Sequence, residues 1–537
     1  MTTWYGRQDG GRRPPHIIWV IAIVVALLGA IPTGYTIVRA LEASGSTPFP
    51  PWPLLWTLIT NTVLLALLSA LLSGIIGTCQ ALLIERMALS GAGAWRIVAV
   101  LPLVMPPYVL GICTLALLRP RGIVERWLVE QQWVAYGDIP FNALFGLGGS
   151  SCILALYLSP YVYLPVSAVL RQGSHHLREI AQLSGAHWFH RLRHVTLPLL
   201  APAVGGGMLL VMLYALADFG VPSLLRLPTF STAIYGRFTG QVDRAGAALL
   251  SLPLIIATLG LLVLEERLVG RGGAQINRSW RPVIQQTLGR WQIVAQLSLA
   301  AVTSCALVAP IGTLLYWSSS VPSPAERASQ IPFADLIGTG TYNIVFVALI
   351  ATITTMLAVA PALLLRRGGV FGGIVARLSQ AGYALPGVVV ALSIILVTNQ
   401  GIPWMIGGLL PLSFAYIIRF LPQAMQSLDA AFEQIAPTLE EVGRSLGHSA
   451  LQVLRYVVLP LATPGLRASW ALLFLGMLKE LPATLLLRPA GFDTLAVRIW
   501  MPASDGLYTA AATPALLLIA CACLPVAFVL RNHQTSK

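Results

Sequence analysis

Charge is what this chain has least of. Asp, Glu, Lys and Arg make up only 10% of its 537 residues, where a soluble protein carries about a quarter. Lysine is nearly missing, Lys479 and Lys537 being the only two, so the net charge of +14 rests on arginine. This shortage excludes a soluble globular domain. A pI near 9.9 would suggest nucleic acid in a soluble protein. In so apolar a chain it fits cationic loops retained on one side of a membrane, and no nucleic-acid partner is expected. Cysteine is also scarce. The six (Cys79, Cys113, Cys152, Cys305, Cys521, Cys523) lie in or beside apolar segments, as small hydrophobes rather than a disulfide framework or a metal site. Cys521 and Cys523 are two apart, so on a helix they face different ways and chelate poorly.

Whole motifs are missing as well. No G-x-x-x-x-G-K-[S/T] occurs, so the chain does not cradle ATP phosphates itself. No H-E-x-x-H or G-x-S-x-G occurs, and the adjacent His175 and His176 make a poor pair for one helix-borne metal. These absences argue against an enzyme and leave no cofactor expected on this chain.

What is there is apolar length. Hydrophobic residues make up 56% of the chain and the mean hydropathy is +0.77. Twelve apolar segments lie near 16–38, 54–83, 97–118, 146–170, 199–217, 246–264, 291–316, 342–365, 372–397, 402–425, 461–478 and 509–530. Most are long enough, as helices, to cross about 30 Å of hydrocarbon. The expectation is an all-α polytopic protein in the lipid bilayer. The opening "RRPPHIIWVIAIVVALLGAIPTGYTIV" has the charge-then-apolar order of a signal peptide. Its apolar run is long and no clear A-x-A site follows, so a retained first helix is expected.

With a cytoplasmic N-terminus, the alternate loops on that side hold 21 of the 34 Lys and Arg. The positive-inside rule then puts both termini in the cytoplasm. Six spans per half, an even number, make the halves parallel repeats. The Gly- and Arg-rich stretch 268–290 reads as the linker, dividing the chain into halves at 1–275 and 276–537. Further stretches recur: "MPPYVLGI" (105–112) with "LPGVVVAL" (385–392), "ADFGVPSLLR" (217–226) with "KELPATLLLR" (479–488), and Thr232 with Thr494.

The strongest repeat is polar. Within 171–198, Glu179 is followed by Gly185 and then by Leu197–Pro198; within 433–460, Glu441 is followed by Gly447 and then by Leu459–Pro460. All match at an offset of 262. The glycine permits a sharp turn, and the Leu-Pro pair is expected to restart the next spanning helix, where proline fits the first turn. One such loop would be an ordinary interfacial helix. Two with matched spacing point to a docking element used twice.

This spacing resembles the EAA loop of permease subunits in binding-protein-dependent ABC importers. Glu179, Ala181, Gly185, Val195, Leu197 and Pro198 fit one copy, and Glu441, Gly443, Gly447, Val457, Leu459 and Pro460 the other. The family's first alanine is replaced by a branched residue, Ile180 and Val442, in both. The resemblance implies a type I ABC importer permease fold in the bacterial inner membrane, with about 12 transmembrane helices in two parallel six-helix repeats. It implies coupling loops that each seat on one of two cytoplasmic ATPase copies, with ATP and Mg on those partners, and a periplasmic solute-binding protein. The stretch 478–500, "LKELPATLLLRPAGFDTLAVRIW", is similar to the ferric-iron branch. Thiamine or another small solute is the alternative cargo. A secondary transporter is a weaker rival: it would need functional charges at midplane, and 84–96 lacks the G-x-x-x-D-R-x-G-R-[K/R] pattern of the major facilitator group.

For the solute path, ionisable groups at span edges are the default candidates: Asp218, Lys479 and Glu480, near the outer mouth. The plainer reading makes them interfacial charges, paired with each other or docking the binding protein. Arg419 reads as a snorkelling side chain, Tyr108 and Tyr161 as packing or belt residues, and Gly205–Gly207 as a close helix contact.

Overall fold

The computed structural model describes residues 15–43, 50–138, 145–172, 190, 192–241, 243–269, 289, 291–321, 323–329 and 332–534. Among these residues no β-strand occurs, and ten helices are long and apolar enough to cross a membrane. The first half comprises α1 (His16–Ala43), α2 (Trp52–Arg86), α3 (Ala92–Val98), α4 (Pro107–Leu118), α5 (Leu147–Gln172), α6 (Leu197–Ala217), α7 (Gly220–Leu224), α8 (Phe230–Thr239) and α9 (Arg244–Val269). The second opens with α10 (Trp291–Ser319). It continues through α11 (Phe333–Arg367), α12 (Gly369–Ser379), α13 (Gly387–Gly401), α14 (Leu410–Glu433), α15 (Pro437–Ser445), α16 (Leu459–Leu478), α17 (Pro482–Leu487), α18 (Leu495–Ser504) and α19 (Tyr508–Gln534). Among the described residues the spanning helices of the halves repeat in order; the short helix Ile123–Glu130 stands against only the turn Pro403–Met405, and the counterpart of α15 lies outside the described residues.

Twelve apolar passages yield ten spanning helices because the ninth and tenth fall short, while the third, though broken, still spans as Pro107–Glu130. The third passage of each half is broken at the motif the sequence repeats. In the first, Met105 and Pro106 are extended between the 3-10 turn Leu101–Val104 and α4. In the second, Leu385 and Pro386 are extended between the turn Ala381–Ala384 and α13. Proline drives its predecessor out of the helical region and then starts a new helix. The tenth passage forms α14, which carries Arg419, Gln423, Gln426 and Asp429 and is not among the ten. The Thr232–Thr494 match is also displaced. Thr494 caps α18 as Thr229, not Thr232, caps α8.

The helices sort their faces by solvent. On α11, Tyr342, Val345, Leu349, Ile353 and Met356 are exposed at three- and four-residue steps, an apolar stripe that lipid covers. Inward faces carry small residues. A Cβ on Gly77 of α2 would lie 2.6 Å from the Ser159 carbonyl of α5, and one on Gly207 of α6 would lie 2.8 Å from that of Tyr161. Gly205, by contrast, faces open space. Buried hydroxyls such as Ser251, Thr354 and Ser393 donate to the carbonyl four residues back, satisfying themselves where water is absent.

The halves exchange their first helices. α1 packs on α11, α12 and α13 of the second half as well as on α9. There Thr36 and Ser393 hydroxyls bond at 2.5 Å and Trp19 stacks on Phe371. In return α10 packs on α4 as well as α19, and its Gln292 and Gln296 donate to the Ser90 hydroxyl.

Candidate functional site

Two places bring the sequence's candidate residues together: the arginine-rich end of the bundle, and a cavity between the halves. Glu179, Ala181 and Gly185 of the first loop lie outside the described residues. The second loop is fully described. α15 ends in a Schellman turn: Gly447 adopts φ +85°, its N–H donates to the Arg444 carbonyl, and the His448 N–H donates to that of Gly443. A left-handed residue is needed there, which is why glycine holds the position. Ser449 then caps the helix Ala450–Val453 through a reciprocal box with Gln452. Gly443 packs closely on the next helix, where a Cβ would come within 3.1 Å of Val453 Cγ2. The result is a tight helix–turn–helix.

Leu459–Pro460 does not restart a helix, as the spacing suggested, but continues one. A π-turn, Leu454–Val458, leads directly into α16, and Leu192–Thr196 likewise leads into α6 at Leu197–Pro198. Proline has no N–H to give and its ring crowds the carbonyl four residues back, and a widened turn upstream relieves both. The outer face of α15 is apolar and bare: Leu439, Val442 and, 74% exposed, Leu446, beside exposed Glu441. Its inner face is tied down. Glu440 pairs with Arg367 at the end of α11, next to Arg366, which pairs with Asp429 and Glu433 of α14.

The first half builds a different clamp at the same end. Glu85 of α2, 2% exposed, accepts from Arg171 Nη2 at 2.7 Å and Ser167 Oγ at 2.9 Å, both on α5, and from Arg96 Nη2 of α3 at 3.0 Å.

The cavity is small and is lined by Tyr108, Tyr214, Asp218, Arg419, Lys479 and Glu480 among others. Asp218 and Glu480 are buried, being only 9% and 5% exposed. They occupy repeat-equivalent positions and act alike. Asp218 accepts from the Val221 N–H at 3.0 Å and Glu480 from the Ala483 N–H at 3.3 Å, each capping the short helix that follows. The candidates do not pair with each other. Glu480 takes Arg419 at 2.8 Å, so Arg419 is a half-buried ion-pair partner and not a snorkelling side chain. Lys479 crosses to the first half, donating to the Leu103 carbonyl and, at 3.2 Å, to the Tyr157 hydroxyl. Tyr108, edge-on to Trp500 of the other half, is buried with its hydroxyl unpartnered. Sequence reading missed Arg366, Arg367 and Glu440 as a unit; the only trace was a double arginine counted with the other loop cations.

Two copies of one helical unit, a docking-type loop and a polar cavity between the copies make up a two-lobed membrane transporter. The chain belongs to the family of binding-protein-dependent transport system inner membrane components, which it matches over residues 91–269 and again over 352–535. It is similar to the Fe(3+)-transport system permease protein FbpB 2 of Haemophilus influenzae, 29% identical over 97% of this chain and 99% of that one. It is also similar to the ferric transport system permease protein FbpB of Actinobacillus pleuropneumoniae, 26% identical over 86% of this chain and 69% of that relative. The sulfate transport system permease protein CysT of Salmonella typhimurium is 23% identical over 42% of this chain and 83% of its own length. Permeases of this family are not themselves enzymes and work with an ATPase and a binding protein.

Proposed function

We propose that this chain imports ferric iron. A periplasmic binding protein delivers the ion to the cavity between the halves, and two copies of a cytoplasmic ATPase, which bind ATP and Mg, drive its passage. The chain itself binds no cofactor. The arginine-rich end and both termini face the cytoplasm, in keeping with the positive-inside bias. One ATPase copy seats on the loop with Glu179, Ala181, Gly185, Leu197 and Pro198, the other on that with Glu441, Gly443, Gly447, Leu459 and Pro460. The bare stripe Leu439, Val442 and Leu446 suits such a groove. ATP closes the ATPase pair and moves the loops together, a shift between two populations driven by differential affinity for ATP and loaded binding protein.

The observation that carries the cargo is the near full-length likeness to an Fe(3+)-transport permease. The cavity is chemically compatible. Asp218, Glu480, Tyr108 and Tyr214 offer oxygen, the ligand of hard cations. Arg419 and Lys479 among them oppose retention, and a conduit must let its ion leave.

The test is uptake of radiolabelled ferric iron in cells lacking and then regaining the gene, with any redundant iron system deleted and labelled thiamine run beside it. Iron uptake that follows the gene supports the reading. Uptake of thiamine alone overturns the cargo and leaves the permease assignment standing.

A further inference from the structure

The clamps at the arginine-rich end occupy equivalent positions with opposite charge. α2 and α11 are each 35 residues long. They align residue for residue at an offset of 281, so Glu85 corresponds to Arg366 and Arg86 to Arg367. α5 and α14 follow the loop offset of 262, so Ser167 corresponds to Asp429 and Arg171 to Glu433. The first half sets Glu85 against Ser167 and Arg171; the second sets Arg366 against Asp429 and Glu433. The joint between the two long helices is kept while its signs are reversed.

One residue further the halves part. Arg367 pairs with Glu440, which lies on the coupling helix itself. The corresponding positions in the first half are Arg86 and Arg178, two like charges. Buried Arg86 leaves its Nε without a hydrogen-bond partner. An ion pair from long helix to coupling helix is therefore built at these positions in the second half and excluded by charge in the first.

What the pair connects to gives it a role. Arg366 and Arg367 join α11, α14 and α15 at one end. Ten residues along α14 from Asp429, about 15 Å for a helix, stands Arg419, the partner of Glu480 in the cavity. Phe346 of α11 packs on Tyr416 of α14, whose hydroxyl bonds Thr484 of α17 at 2.7 Å. The route from coupling helix to cavity is thus continuous in the second half, with an ion pair at its first joint.

We propose that Arg367–Glu440 is the strut that makes the second coupling helix move rigidly with its membrane helices, so that the two coupling loops of this chain transmit unequally. The proposal rests on the coupling-loop reading above and assigns Arg367 and Glu440 as positioning residues. They do not touch the cargo.

The experiment uses the whole importer, with its ATPase and binding protein, in proteoliposomes. Transport and ATP hydrolysis are read in the same sample, and co-purification of the ATPase is checked. In Glu440→Gln, transport per ATP is expected to fall about tenfold while hydrolysis and ATPase retention stay within about twofold, a strong coupling effect by the usual scale. The reversed pair, Arg367→Glu with Glu440→Arg, regains most of the loss, which a residue needed only for folding would not show. Unchanged transport per ATP in Glu440→Gln overturns the strut. So does loss of the ATPase from that variant, since Glu440 would then be a docking contact. Glu441→Ala, run in parallel, reports on the coupling-loop reading separately: full ATPase retention and transport there would sink that reading whatever Glu440 does.

Discussion

Glu85 and Arg366 stand at the same place in the two halves, at the end of a 35-residue helix where it meets its neighbour. One is a carboxylate buried among two arginines and a serine; the other is a guanidinium held by two acids that water reaches more freely. Duplicated units keep geometry before they keep chemistry. A joint survives any change that preserves its complementarity, and a sign reversal does so once both partners have changed. The same holds in the cavity, where Asp218 and Glu480 cap equivalent helices but only Glu480 has a guanidinium. The position corresponding to Arg419 in the first half is Tyr157, and it meets Lys479 instead.

The difference predicts unequal tolerance. The largest effect belongs to helix contact. Gly77 sits where a Cβ meets backbone at 2.6 Å, while its counterpart in the second half is the buried Ala358. Gly77→Ala should cost about 3 kcal/mol through overpacking, and Ala358→Gly about 1 kcal/mol through helix propensity. Thermal unfolding of the two variants in detergent checks this, and equal losses would mean that the halves pack alike.

The clamps come next. Glu85→Ala should cost about 2 kcal/mol, since charged hydrogen bonds are lost while the arginines can still reach water. Arg366→Ala should cost under about 1 kcal/mol, because its acids are solvated. Copying the second clamp into the first, with Glu85→Arg, Ser167→Asp and Arg171→Glu together, should recover at least half of the Glu85→Ala loss. Failure of that triple variant would show that sign does matter, through Arg96.

The smallest effect lies at the cavity. Lys479→Met removes the cation that ties the second half to Leu103 and Tyr157 of the first. ATP hydrolysis without binding protein should rise by a factor of a few, as expected when a modest latch on one of two states is lost. An unchanged basal rate would make Lys479 a passive lining residue.

Sequence carried the parts of this that are local. Gly447 was readable as a turn because only a left-handed residue closes that hairpin, and the matched spacing exposed the duplication. "MPP" and "LPG" marked the broken third passages, though continuous apolarity around them suggested whole spans. What stayed hidden was set by contacts distant in sequence. Arg419 finds Glu480 sixty-one residues away, and Arg367 finds Glu440 seventy-three away. The exchange of α1 and α10 between halves leaves no periodic trace, since a lipid-facing helix reads the same against either neighbour. The π-turns ahead of Pro198 and Pro460 were masked by an equally good rule, that proline opens helices.

The central claim is that one chain supplies two docking loops for an ATPase pair. Its most direct test is the mass of the purified assembly under native conditions. Two ATPase copies should bind the wild-type chain, one should remain in Glu179→Ala or Glu441→Ala alone, and none when both are changed. A wild-type assembly with a single ATPase copy, or single variants that both keep two, would contradict it.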